Sequence, residues 1–140
     1  MPGLPARQYV DAMPRGRAQA APPEPRVASE AAERALDRLR EIVSALRGCA
    51  LLGQGGETLA ATGDSERWGN AARGFLAVAD AARREPVSQV HVATEDGEVF
   101  AVRDHGLAAV AVTERFALAS LMTFDMRAVL RDLAAEMRGR

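Results

Sequence analysis

The stretch from Val87 to Thr113 constrains this chain most, because it reads as three consecutive β-strands joined by two tight turns. Val87-Ser88-Gln89-Val90-His91-Val92-Ala93-Thr94 is rich in β-branched residues and carries no formal charge, and Glu95-Asp96-Gly97 closes it with residues suited to a hairpin turn. The return strand is Glu98-Val99-Phe100-Ala101-Val102-Arg103. Asp104-His105-Gly106 then turns the chain into Leu107-Ala108-Ala109-Val110-Ala111-Val112-Thr113. With a period of two, one face is expected to carry Val90, Val92, Phe100, Val102, Val110 and Val112, and the other His91, Ala93, Val99, Ala101, Leu107, Ala109 and Ala111. Both faces are largely apolar, so helices must cover both.

The rest of the chain supplies those helices. Ser29 suits an N-cap, Glu30 and Glu33 suit a positive first turn, and Leu36, Leu39, Val43 and Leu46 recur at helical spacing before Gly48. A second hairpin follows, from Cys49-Ala50-Leu51-Leu52-Gly53 through Gln54-Gly55-Gly56 to Glu57-Thr58-Leu59-Ala60-Ala61-Thr62. Asp64 or Ser65 can then cap a helix that stops near Arg84, before Pro86. Trp68, Ala72, Phe75, Leu76, Ala79 and Ala82 give this helix a bulky apolar face, and Arg73, Asp80 and Arg84 share one polar strip. Its remaining side, Asn70, Gly74, Ala77 and Ala81 flanked by Val78, is small where a solvent face normally carries long charged residues. That pattern fits either an alanine-rich surface or, as the favoured reading, close approach of a second helix.

After Thr113-Glu114-Arg115-Phe116 a last helix carries Leu118, Leu121, Met122, Val129, Leu130, Leu133 and Met137 on its apolar stripe. Asp125 falls inside that stripe, so it should be paired or sit at the stripe's edge. At the other end of the chain, residues 1–27 hold Pro2, Pro5, Pro14, Pro22, Pro23 and Pro25 among arginines and alanines. Such a composition does not build a core, and a disordered tail is expected. Gln8-Tyr9-Val10-Asp11-Ala12-Met13 within it could be a docking motif, but sequence alone assigns it no function. Residues 28–138 are expected to form one domain.

Several function classes drop out. All 18 basic residues are arginine, which excludes phosphate-loop and Schiff-base lysines, and a net charge of −1 offers no bulk attraction to nucleic acid or anionic membranes. The single Cys49 cannot form an intramolecular disulfide, no run approaches transmembrane length, and the N-terminus lacks a signal-peptide core, so a cytoplasmic protein is expected. Gly53-Gln54-Gly55 follows an apolar strand, as a dinucleotide fingerprint would. Thr58 nonetheless stands where its third small residue belongs, and strand-like residues follow instead of a helix. His91 and His105 have no ligand spacing around them, and neither a catalytic residue, a metal nor a cofactor is expected.

The order is helix, two strands, helix, three strands, helix. The more polar strands 57–62 and 87–94 look like edges, which gives the antiparallel order 2-1-5-4-3. In this order, Ala50-Leu51-Leu52 with Leu59-Ala60-Ala61-Thr62-Gly63, Asp96 to Arg103, and Leu107 to Val112 before a final helix resemble the roadblock family, named for the roadblock dynein light chain. Its bacterial members regulate Ras-like small GTPases. The resemblance covers roughly Ala28 to Met137. It implies a profilin-like α/β sandwich, no catalytic residues, and a homodimer in which middle helices pack together and third strands join two sheets. Asn70, Gly74, Ala77, Val78, Ala81, Ser88, Val90, His91 and Val92 are the expected interface. The expected role is a regulator or scaffold of a Ras-like GTPase or related signalling complex. The alternative is a small-molecule sensor, which would need a pocket between sheet and helix where Trp68 and Phe75 are expected to pack.

Overall fold

Ala31, Ala32, Ala35, Leu36 and Leu39 share one stripe of the first helix and are all buried, which is why the chain between them coils as an amphipathic helix on a sheet. In the computed structural model, which describes residues 26–115 and 117–139, this helix is α1, Arg26–Ile42. Expectations for the tail before it lie outside the described residues. Ser29 falls inside α1 and is not its cap, and the helix ends at Ile42, so Leu46 opens the next strand instead of closing the helix. There follow β1 (Leu46–Leu52), β2 (Thr58–Ala61), α2 (Ser65–Arg83), β3 (Gln89–Thr94), β4 (Gly97–Asp104), β5 (Leu107–Thr113) and α3 (Ala119–Arg138). The five strands form one antiparallel sheet in the order β2-β1-β5-β4-β3, with β2 and β3 at the edges as the sequence suggests.

One strand of the meander is turned over relative to the expected faces. Val90 lies opposite Ala101 and Val110, while Phe100 lies opposite His91 and Ala111. Both turns contain two residues and not three: Glu95-Asp96 lies between the paired Thr94 and Gly97, and His105-Gly106 between Asp104 and Leu107. Positive φ at His105 (55°) and Gly106 (77°) is what a tight two-residue hairpin requires. One residue fewer in each turn inverts the intervening β4, and the second turn restores β5.

Two cores result. Leu51, Phe100, Val102, Ala109 and Ala111 meet α1 and α3 on one face, through Leu39, Met126 and Leu130. On the other face, Ala50, Leu52, Val99, Ala101 and Val110 meet Phe75 and Leu76 of α2. Burial of each large side chain contributes about 1.5–3 kcal/mol. α1 and α3 run antiparallel, held at their surface by Arg34–Glu136 and Arg38–Asp132 (3.1 Å) ion pairs. Asp125 is half-buried at the edge of the α3 stripe. Leu118 and Leu121, expected in the core, are 66% and 54% exposed, because α3 extends beyond the end of α1 and no other described helix covers its outer side there.

Candidate interaction surface

The first turn of α2 is fixed by Asp64, whose carboxylate accepts from the Arg67 N–H at 3.2 Å, and its end by Arg84 in the left-handed conformation at φ 59°. Between these caps Gly69, Ala71, Ala72, Phe75 and Leu76 are buried against the sheet. By helical spacing, Asn70, Gly74, Ala77, Val78 and Ala81 therefore point away from it. Ala77, Val78 and Ala81 are exposed, and Asn70 and Gly74 are half-buried. Asn70 accepts a hydrogen bond from Arg73, which also donates to the Gly56 carbonyl at 2.9 Å and the Thr58 hydroxyl at 3.0 Å.

α2 packs chiefly over β1 and β2. Its C-terminal end is tied to the far side, where Asp80 accepts from Arg103 of β4 at 2.7 and 2.9 Å and from the Val87 N–H at 2.9 Å. Those hydrogen bonds from Arg103 hold the Asp80 carboxyl below its ordinary range and the guanidinium above its own. Val90, Val92 and Val112, on the face shared with α2, consequently stay only partly buried.

β3 borders this half-covered strip and, among the described strands, pairs only with β4. The Arg103 N–H donates to the Ser88 carbonyl at 2.9 Å, which makes Ser88 and Arg103 a hydrogen-bonded pair. By antiparallel alternation, Val90, Val92 and Thr94 also turn their backbone groups towards β4, and Gln89, His91 and Ala93 turn theirs outward. Of the interface residues expected here, Ser88, Val90 and Val92 turn their backbone groups to β4 and His91 turns outward, as do Gln89 and Ala93, which were not among them. The two-residue turn, which sets the parity of the ladder, is the signal that would have found them. No lysine, proline or inward charge lies between Ser88 and Ala93, so the edge lacks the usual guards against pairing.

The His91 ring lies on Phe100, centroids 4.3 Å apart and planes 6° from parallel. Its Nε2 is 2.6 Å from Oε1 of the buried Glu98, and the other Glu98 oxygen accepts from the Ala117 N–H at 2.8 Å. His91 thereby links the edge strand to the chain entering α3. His105 lies in the β4–β5 turn, 3.8 Å from Asp104. Among the described residues no three His, Cys, Asp or Glu side chains are grouped to hold a metal. Gly53-Gln54-Gly55 forms the β1–β2 turn, closed by the Gly53 N–H on the Glu57 carbonyl at 2.8 Å, and a strand follows it. Beside this turn a half-open cleft of about 420 Å³ is bounded by Leu52, Gly56, Arg73, Leu76, Arg103 and Leu107. Trp68 lies over Gly48 at the other end of the helix–sheet space.

No protein-family model matches the chain, and no curated protein matches it in sequence. Among solved structures it is similar to a Roadblock/LC7 domain from Streptomyces avermitilis, with 16% identity over 75% of this chain and 96% of that one and a TM-score of 0.63. It is also similar to the gliding protein MglB from Thermus thermophilus, with 15% identity over 84% of this chain and 100% of that one and a TM-score of 0.64. LokiProfilin2, from its complex with rabbit actin, is similar at 16% identity over 76% of this chain and 97% of that one, TM-score 0.55. The fold is that of roadblock and profilin-like domains, αββαβββα around the 2-1-5-4-3 sheet, as the resemblance in sequence implied.

Proposed function

We propose that this roadblock-type chain is a non-enzymatic, homodimeric regulator or scaffold that acts in the cytoplasm on a Ras-like small GTPase or a related signalling complex. The observation that carries the reading is the unguarded β3 edge bordering a half-covered strip of the sheet, in a chain whose α2 carries a small-residue face. A two-fold axis at β3 would pair the outward groups of Gln89, His91 and Ala93 with their copies. The same axis would bring a partner's α2 over Val90, Val92 and Val112, with Gly74, Ala77 and Ala81 allowing close helix approach. A stable interface of this kind buries on the order of 1,200 Å² or more in total. Likeness of fold to the gliding protein MglB, together with the resemblance to a family whose bacterial members regulate small GTPases, supports the choice of partner. No described helix is long and apolar enough to cross a membrane.

Light scattering at micromolar concentration should report a dimer for the wild type and a folded monomer for Ala77→Arg, which sets two cations face to face. A wild-type monomer overturns the dimer. Ras-like GTPases of the same organism should then bind differently when loaded with GTP or GDP, because the two states order different switch loops. Equal or absent binding to both states would remove the GTPase and leave the scaffold.

One observation favours a second reading, a small-molecule sensor: the cleft between the β1–β2 turn and α2 offers an apolar floor of Leu52, Leu76 and Leu107 below the Arg73 guanidinium. Arg73 is already bonded to Gly56, Thr58 and Asn70, so a ligand would have to compete with three internal acceptors. Protection of the native protein against thermal unfolding by a small anion, abolished in Arg73→Met, would favour the sensor.

A further inference from the structure

Four large apolar side chains are exposed at one end of the molecule, away from α2: Ile42 at the end of α1 (49%), and Leu118, Leu121 and Phe124 at the start of α3 (66, 54 and 68%). The antiparallel ion pairs of α1 with α3 set Ile42 at the same end as the first turns of α3. Leu118 occupies the N-cap position and its side chain supplies no cap, so no local role accounts for an exposed leucine there. Glu41 beside Ile42 and the half-buried Asp125 beside Leu121 border the patch, and neither has a hydrogen bond or ion pair among the described residues.

We infer that this end of α1 and α3 is a docking site for the chain's own N-terminal segment, residues 4–13. Chemistry, charge and length agree on the occupant. Leu4, Tyr9, Val10 and Met13 are the large apolar residues of that segment, and Arg7 among them with Arg15 and Arg17 after them outnumber Asp11 and are the counterparts to Glu41 and Asp125. The segment is joined to the first turn of α1, at the far end from the patch. α1 has 17 residues and is therefore about 25 Å long. The spacer between Met13 and Arg26 contains Pro14, Pro22, Pro23 and Pro25. In an extended, proline-stiffened form it spans about 37 Å at about 3.1 Å per residue, enough to run back along α1 and seat Met13 at Ile42 and Leu121. A spacer of this stiffness also loses little entropy when the segment before it docks.

Trypsin acts as the probe, since Arg7, Arg15 and Arg17 are its sites and the chain has no lysine to confuse the pattern. In the full-length protein, cleavage at these arginines should be at least about threefold slower than in a synthetic peptide of residues 1–25, because cleavage follows the undocked population. Leu121→Asp should restore the peptide's rate, and Phe124→Ser provides a second variant should Leu121→Asp fold poorly. Circular dichroism melting of each confirms that the domain is intact. An excess of the synthetic peptide should accelerate cleavage of the wild-type chain by displacing its segment. Cleavage of the wild type at the peptide's rate overturns the inference. So does protection that survives both substitutions, which would place the segment on another surface. Protection that grows with protein concentration and is lost with self-association would assign the patch to a second copy and likewise overturn it.

Discussion

Arg103 grips Asp80 through both carboxylate oxygens, at 2.7 and 2.9 Å, and so ties the end of α2 to β4 at the point where the chain leaves for β3. The same guanidinium donates to the Val87 carbonyl at 3.0 Å, and Asp80 accepts from the Val87 N–H, so one pair fixes helix, strand and connection together.

That pair makes the first prediction. The Asp80 side chain is 30% exposed and the pair is screened by solvent, so Asp80→Asn should cost on the order of 1 kcal/mol. Because the folded carboxyl titrates below its unfolded value, the contribution is complete above the unfolded value of about 3.9 and disappears as pH falls through the folded one. Wild type and Asp80→Asn should therefore differ in denaturant midpoint at pH 7 and converge towards pH 3. A difference that persists undiminished at pH 3 would show that packing, and not charge, sets the effect.

Cys49 carries the second. Its side chain is fully buried on β1, and burial pushes the thiol up to about 12. Iodoacetamide at pH 8 should label it only through global unfolding, with a rate that tracks denaturant-induced opening. The neutral buried thiol favours the folded state below the unfolded value of about 8.5, and this contribution falls away as pH rises from there towards the folded value. Prompt stoichiometric labelling of the native protein would contradict this packing of β1.

Strand order was legible because it rests on polarity: 57–62 and 87–94 carry more polar residues than 50–52 and 107–112, and they are the edges. The facing of Phe100 and Val102 was not, because it depends on whether a turn holds two residues or three, and Glu95-Asp96-Gly97 is compatible with both. Leu118 and Leu121 fit the α3 stripe by spacing, but spacing does not reveal that α1 stops at Ile42, short of those turns. The small face of α2 was readable from Gly74, Ala77 and Ala81. The outward backbone of β3 follows from the two-residue turn and agrees with the bond from Arg103 to Ser88, but Glu95-Asp96-Gly97 did not reveal that turn length.

That parity yields the sharpest prediction. Ala93 is exposed and turns its N–H outward, so proline there removes a donor that the monomer does not use, at an edge position where proline is tolerated. Val90 turns its N–H to the carbonyl of the fully buried Ala101, so proline at this neighbouring site orphans a buried acceptor and should cost about 1–3 kcal/mol of monomer stability. Ala93→Pro should thus keep a near-wild-type circular dichroism melt when diluted to monomer and raise the dimer dissociation constant about tenfold for each 1.4 kcal/mol of lost pairing. Val90→Pro should lower the melt itself. If Ala93→Pro associates as tightly as the wild type in sedimentation equilibrium, β3 does not pair with a second copy. The two-fold assembly must then be sought through α2 alone.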